Sequence, residues 1–309
     1  MVENYYFLGI GGIGMSAIAR YFKAKGYNVA GYDRTPSVLT HELEAEGIDV
    51  NYSDEIEAIP VDYRDNRNTF VVFTPAIPKD NAQYNFFLSN DFVMQKRAQV
   101  LGDITRRERG LCVASTHGKT TTSTMIAHIL KQSHVDCNAF LGGISKNYTS
   151  NLLLSDKSDY VVIEADEFDR SFHHLSPYMA VITATDADHL DIYGNYEAYV
   201  ESFNHFTSLV QPGGVLIVKK GIVIDPRLAE NVTLYSYSAT EKADVYAENI
   251  RIAGSKLLFD FVTPTTKICD IDLGVPVLVN VENAVAAMAV ALLAGATDSE
   301  LKSGIASLA

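Results

Sequence analysis

The sequence is poor in the features that mark whole classes of protein. None of its apolar runs approaches the roughly 20 residues needed to cross a bilayer. Val2-Glu3-Asn4 lacks the basic lead of a secretory signal, so neither a membrane span nor an export leader is expected. Cysteine is scarce. Cys112, Cys137 and Cys269 lie far apart, without the His/Cys spacing of a zinc site, and are expected as buried thiols in a reducing cytosol. Positive charge is also short: Lys+Arg 25 against Asp+Glu 38 gives a formal net charge of −13. The one basic cluster, Arg106 to Arg109, is expected as a solvated helix end. This balance argues against DNA or RNA as the main partner. Loop N–H groups and helix dipoles can still attract an anionic nucleotide locally. Internal repeats and low-complexity tracts are absent from the sequence.

What is present is an alternation of apolar strands and helices. A chain of 309 residues, 47% of them hydrophobic, can bury a substantial core and is expected to form two domains or three small ones. Tyr5-Tyr6-Phe7-Leu8-Gly9-Ile10 reads as a buried strand that runs into the turn Gly9-x-Gly11-Gly12-Ile13-Gly14. An amphipathic helix from Met15 follows, then a second strand, Asn28 to Tyr32, ending in Asp33. Strand, glycine turn, helix, strand and acid form the pattern of a dinucleotide-binding half. The glycines let a diphosphate approach the helix N-terminus, and Asp33 can accept a hydrogen bond from a sugar hydroxyl. Locally the pattern points to NAD and more generally to a diphosphate, whose identity it leaves open. Asn68 to Phe73 is a further strand, halted by Thr74-Pro75-Ala76-Ile77-Pro78, and Gln95 to Arg107 is expected as a helix. A boundary is expected near residue 108, giving domains 1–108 and 109–309.

The second domain opens with Leu111-Cys112-Val113-Ala114 running into Ser115-Thr116-His117-Gly118-Lys119-Thr120-Thr121-Thr122, followed by the helical run Met125 to Leu130. This is the layout of a phosphate-holding loop: N–H groups face phosphate oxygens, Lys119 supplies a compact charge, and Thr120 offers a hydroxyl to magnesium. The spelling departs from the general spacing, since Val113 rather than glycine stands five before Gly118. Two strands with acidic ends follow. Asp159 to Ile163 leads into Glu164-Ala165-Asp166-Glu167, and Met179 to Thr183 leads into a loop holding Asp186, Asp188, His189 and Asp191. In a doubly wound sheet these loops share a crevice with the phosphate loop, which makes Glu164 the first magnesium candidate. His189 is expected to hydrogen-bond or face substrate, because magnesium prefers oxygen. Glu167 and Asp191 are expected as solvated charges, and His173-His174 as a solvated or substrate-facing pair. Tyr196 to Val210 reads as a helix and Val215 to Val218 as a strand. Short alternating segments from Thr233 to Asp272 predict antiparallel strands. Val281 to Leu293 is an apolar helix, and Asp298 is expected to cap a last one through Ile305. The fold expectation is therefore α/β: a Rossmann-like parallel-sheet domain, then a P-loop-type α/β domain with an added small antiparallel sheet.

With these residues in place, the sequence resembles the Mur ligases. GIGGIGMS (Gly9 to Ser16), THGKTTT (Thr116 to Thr122), EADEFDRSF (Glu164 to Phe172) and DHLDIYG (Asp188 to Gly194) carry the match, and Asn280-Val281-Glu282-Asn283-Ala284 looks like the family's asparagine motif. These stretches cover nearly the whole chain in the expected order. The resemblance implies that the first domain binds the UDP part of UDP-N-acetylmuramate through Gly9, Gly11, Gly12, Ile13, Gly14 and Asp33, which reassigns the turn from NAD. It implies that the second domain is an ATPase, with its ATP site at Thr116, His117, Gly118, Lys119, Thr120 and Thr121, and Asn283 at the adenine. By the same resemblance Thr120 and Glu164 would hold one magnesium and Glu164 and His189 a second, with Lys119, Glu164 and His189 as the catalytic set. The implied activity is ATP-dependent amide formation through an acyl phosphate, in the cytoplasm, for peptidoglycan precursor synthesis. The GIGGIGMS and SFHHLSP spellings favour the branch that adds L-alanine over the one that reattaches a recycled tripeptide. An NAD-dependent oxidoreductase rests on Gly9 to Asp33 alone. A third family domain is expected beyond Ala309, so the chain as given is expected to bind the UDP-sugar without turning it over. Four positions depart from the pattern or mark a branch: Ser115 for Gly, Ala184 for Asn, Val279 for His, and Phe203 where sister ligases carry a carbamoylated lysine.

Overall fold

In the computed structural model, which describes residues 2–274 and 277–308, the apolar runs at the start of the chain become parallel strands buried on both faces. Strands β1 (Asn4–Leu8), β2 (Asn28–Tyr32), β3 (Asp49–Asn51), β4 (Thr69–Phe73) and β5 (Val93–Lys96) are all parallel, in the order β3-β2-β1-β4-β5. The order reverses between β1 and β4, the switch point at which such sheets open a ligand crevice. Helices α1 (Ile13–Ala24), α2 (Val38–Ala45) and α3 (Ala82–Ser89) link the strands, and α4 (Arg97–Arg107) leaves β5. Every residue of β1 is buried. On one side Tyr6 and Leu8 pack with Val71, Phe87 and Phe92; elsewhere Tyr5 stacks on Phe22 of α1, ring centroids 3.8 Å apart. Each large apolar side chain so buried contributes about 1.5–3 kcal/mol. The buried Tyr6 hydroxyl donates to Gln83 Oε1 (2.8 Å) and accepts from Asn51 Nδ2 (2.7 Å), which removes the penalty of an unpaired polar group. Strands β3 and β5 are short and largely outside the core. They carry no long apolar run, so the sequence reading finds neither.

The chain divides into two compact units, one up to Leu101 and the other from Gly102. In the second, strands β6 (Arg109–Ala114), β7 (Asn138–Ser145), β8 (Ser150–Leu153), β9 (Tyr160–Ala165), β10 (Met179–Ile182), β11 (Val215–Lys219), β12 (Thr233–Ser238), β13 (Val245–Ala253), β14 (Lys256–Val262) and β15 (Lys267–Asp272) form one mixed sheet. Its order is β15-β14-β13-β12-β11-β10-β6-β9-β7-β8. The strands from β13 through β7 are parallel, while at one edge β14 pairs antiparallel with both β13 and β15, and at the other β8 pairs antiparallel with β7. One detail differs from the sequence-based expectation: Thr233–Ser238, expected to be antiparallel, pairs in parallel with β11, while the antiparallel strands are appended to the parallel sheet as expected. Strand β12 is exposed at its start and buried at its end instead of buried throughout, and local pattern does not set its direction.

Helices α5 (Lys119–Lys131), α6 (Leu190–Tyr193), α7 (Tyr196–Thr207), α8 (Val279–Leu293) and α9 (Asp298–Ala306) complete the unit. Ile126, Ile129 and Leu130 of α5 share one apolar cluster with Val285, Met288 and Val290 of α8 and with Val113 and Val162 of the sheet. The cap of α9 is Thr297, not Asp298. Thr297 Oγ1 accepts from Glu300 N (3.3 Å) and Glu300 Oε2 accepts from Thr297 N (2.8 Å), a reciprocal capping box that displaces the neighbouring acid from the role.

Candidate active site

Strand β6, flanked by β9 and β10, delivers the phosphate loop at its C-terminal end. Gly118 caps α5 with φ +92°, a conformation that side chains disfavour, and so turns the chain to present the first N–H groups of α5. Its first turn holds no acidic residue, and the helix end therefore keeps its attraction for anions. Ser115 is buried. Its hydroxyl donates to His117 O and accepts from His117 N (3.1 Å), while Thr183 Oγ1 donates to His117 O (2.8 Å). The serine thus ties the loop entry to β10, which gives this departure from the family spelling a structural role. Thr116 is turned inward. Its hydroxyl donates to Asp186 O (2.9 Å) and pairs with Tyr199 OH (3.0 Å), and its N–H donates to Ala184 O (3.1 Å). At Ala184 the backbone makes the connection. His117 and Thr120 are exposed and Thr121 is half-buried. Phe203 is fully buried among Phe172 and Tyr199.

Lys119 reaches back across this loop. Its Nζ donates to Ser115 O and to both oxygens of Glu167, at 2.8 and 2.6 Å. Glu167 is 2% exposed and the lysine side chain 18%. This corrects the expectation of a solvated Glu167: the chain turns inward after β9, and Tyr193 OH donates to Glu167 O to hold it there. Burial pushes the Glu167 carboxyl above the ordinary carboxylate range, with the Lys119 ammonium opposing the shift. His189, in a left-handed conformation (φ 51°) before α6, places Nε2 3.8 Å from Glu167 Oε1 and its ring edge-on to Phe168 at 5.3 Å. The histidine therefore adjoins Glu167. His173, expected as solvated or substrate-facing, is instead half-buried. Its ring stacks on Phe172 and pairs through Nε2 with Ser202 Oγ (2.9 Å), and burial pulls its pKa down.

Glu164 at the end of β9 meets the other side of the loop. Its carboxylate accepts from Thr120 Oγ1 (3.0 Å), Ser123 Oγ (3.1 Å) and Gly142 N (2.6 Å). Thr120 and Glu164 thus bring a hydroxyl and a carboxylate together beside Lys119, a set of hard oxygen donors that suits magnesium. Among the described residues there is no group of three or more His, Cys, Asp or Glu placed to hold a metal by themselves. A metal here would take its remaining ligands from substrate and water, as magnesium in phosphate sites commonly does.

A cavity of about 970 Å³ opens beside Gly118 and runs between the start of α8 and strand β13. Asn283 lies on its wall, accepting from Thr122 Oγ1 (3.2 Å). Val279, 69% exposed, and Leu278 give the opening an apolar lip, and Lys219 and Glu282, 3.8 Å apart, stand within it. Apolar walls with a few placed polar groups suit a nucleoside.

In the first unit the glycine turn has the expected course. Gly9 takes φ +87°, Gly12 caps α1, and Ile13 starts it, 44% exposed. Asp33 Oδ2 accepts from Gly11 N (2.8 Å), so the acid is engaged with the turn itself. Gly14 has a neighbour that the sequence reading passes over: a β-carbon there would stand 2.7 Å from Arg97 Cζ. The arginine follows β5 directly, and only the sheet order could have signalled its place.

Comparison with known proteins agrees with this layout. Residues 113–291 match the Mur ligase middle domain, and residues 4–109 match the Mur ligase family catalytic domain. A curated UDP-N-acetylmuramate–L-alanine ligase from Parabacteroides distasonis is 61% identical over 308 residues, covering 100% of this chain and 67% of that protein. Its counterpart in Porphyromonas gingivalis W83 is 59% identical over 99% of this chain and 67% of its own length. The chain thus spans about two thirds of these relatives. Among solved structures, UDP-N-acetylmuramate-alanine ligase from Thermotoga maritima aligns with a TM-score of 0.80 at 25% identity, covering 99% of this chain and 68% of that one. The UDP-N-acetylmuramate:L-alanyl-γ-D-glutamyl-meso-diaminopimelate ligase from Neisseria meningitides aligns at 0.82 with 21% identity, covering 100% and 99%, a likeness of fold.

Proposed function

The chain belongs to the Mur ligase family, and from that premise we propose that it joins L-alanine to the carboxylate of UDP-N-acetylmuramate in an ATP-dependent reaction. The observation that carries the proposal is the Thr120–Glu164 pair beside Lys119 on the phosphate loop, in a chain 61% identical to a curated ligase of that activity. In this reading the first unit takes the UDP-sugar at the Gly9 to Gly14 turn, with Asp33 bracing the turn. The second unit takes ATP, with phosphates on the loop from Thr116 to Thr121 and the nucleoside in the cavity at Asn283. The reaction is a carboxylate attack on the γ-phosphate followed by displacement of phosphate by the alanine amine. Two anions must meet, so charge neutralisation matters more than a strong base. Lys119 and the α5 N-terminus supply positive charge at the phosphates. Thr120, Glu164 and His189 would hold magnesium, which supplies a further mobile positive charge there. The enzyme works in the cytoplasm.

The tripeptide-adding alternative draws on solved structures at 21 and 22% identity, which speak to fold alone. The oxidoreductase reading leaves the second phosphate loop without a task. The deciding measurement is ADP release by the full-length protein given UDP-N-acetylmuramate plus single amino acids or tripeptide. L-alanine is expected to give the fastest release, and a preference for tripeptide, or no dependence on the UDP-sugar, would refute the proposal.

A further inference from the structure

Lys119 has three N–H donors, and all three are spent inside the chain, on Ser115 O and on the two oxygens of Glu167. A phosphate oxygen can reach this ammonium only by replacing one of those acceptors. Glu167 is the one whose charge competes with a phosphate, because a carboxylate and a phosphate oxygen make the same charge-assisted bond. Once displaced, a carboxylate only 2% exposed needs another partner. His189 Nε2 stands 3.8 Å from Glu167 Oε1. Tyr193 OH fixes the Glu167 backbone, which leaves the side chain to make the change.

We propose that Glu167 is an exchangeable counter-ion and positioning residue: it holds Lys119 until a nucleotide phosphate takes its place, and then turns to His189 and orients that ring. This rests on the reading of the loop as the ATP site. It explains why an acid in a phosphate-binding crevice is buried against the one lysine that the phosphates need. A loop whose lysine is engaged nine-tenths of the time binds nucleotide about tenfold more weakly than a free one. The exchange therefore lowers affinity for ATP in return for a histidine set in place only when phosphate is bound.

The test uses full-length protein, calorimetric titration with ATP and with ADP, and steady-state kinetics. Glu167→Gln keeps the shape and removes the charge. It is expected to bind both nucleotides about tenfold more tightly, and to lower the KM for ATP because the competitor for Lys119 is gone and kcat because His189 loses its orienting partner. Glu167→Asp, which keeps the charge on a shorter arm, is expected to fall between. In a Lys119→Met background, Glu167→Gln is expected to leave nucleotide affinity unchanged, because the partner in the exchange is gone. Unchanged or weaker binding in folded Glu167→Gln overturns the inference. So does an equal gain in the Lys119→Met background, which marks a general effect of charge. Wild-type protein that binds no ATP overturns the ATP-site reading itself, and the inference with it.

Discussion

The placement of Glu164 can be tested through a residue that has no chemistry of its own. Gly142 in β7 donates its N–H to Glu164 Oε1 at 2.6 Å, and a β-carbon on it would stand 2.9 Å from that oxygen and 2.8 Å from Cδ, closer still to Oε2. Comfortable separation for such atoms is about 3.5 Å, so in Gly142→Ala the carboxylate must shift by about 1 Å. Gly142 does not have a positive φ, and alanine therefore adds no backbone strain. The carboxylate is the end of a flexible side chain and can swing aside, so stability is expected to change by less than about 1 kcal/mol. Geometry is what suffers. The shift breaks or lengthens the bonds from Thr120 and Ser123 that aim the carboxylate, and a misplacement of this size costs on the order of 100-fold in rate. In the full-length protein, ADP release is expected to fall by about that factor, with a raised magnesium requirement. Calorimetric affinity for UDP-N-acetylmuramate and the melting temperature are expected to stay at wild-type values. A variant with wild-type kcat and wild-type magnesium dependence would refute the role given to Glu164.

Lys119→Ala is expected to lower ADP release by about 100- to 1,000-fold. By stranding the buried Glu167 carboxylate it should also cost about 3 kcal/mol in urea unfolding; a purely catalytic defect with unchanged stability would contradict the buried ion pair. Thr297→Ala removes the cap of α9 and should cost about 1 kcal/mol by the same measurement. Its partner Glu300 is held down to a pKa of about 2, first by the N–H groups of Thr297 and His134. A depressed folded-state pKa gives stability that is present above the unfolded value and lost as pH falls. The wild-type melting temperature should therefore drop between about pH 4.5 and pH 2 more steeply than that of Glu300→Gln, and parallel curves would refute this.

The parts of this molecule that the sequence shows plainly are those where a local pattern has one structural meaning. The run Asn28 to Tyr32 forms β2 over that same span, because a parallel strand buried on both faces is a continuous apolar run. The loop from Ser115 to Thr122 ends in a helix as its Gly-Lys-Thr spelling requires. What stays hidden depends on partners distant in the chain. Glu167 and Asp191 look alike in sequence, yet Glu167 is buried against a lysine 48 positions away. His173 looks like half of an exposed pair until Phe172 and Ser202 close over it. The direction of β12 and the place of Arg97 beside Gly14 follow from sheet order, which no window of neighbouring residues contains.

The charge balance at the loop explains why these hidden partners matter. The proposed reaction brings a triphosphate and a carboxylate together in a chain whose own net charge is −13. At the loop, Lys119 and Glu167 cancel each other, and Glu164 leaves a local excess of negative charge that repels both substrates. The α5 N-terminus offers roughly half a charge in return, too little for polyphosphate alone. Fixed charge therefore cannot assemble the reactants. Two mobile changes would do so on the proposed reading: release of Lys119 from Glu167, and arrival of a divalent cation at the oxygens of Thr120 and Glu164. Each is favourable only when phosphate is there to receive it, since a freed lysine leaves a buried carboxylate unpaired and a bare metal finds too few protein ligands. On the proposed reading, a site built this way would resist isolated ions and stay closed to chemistry until nucleotide and metal came together, a coupling that a pocket already lined with positive charge would not have.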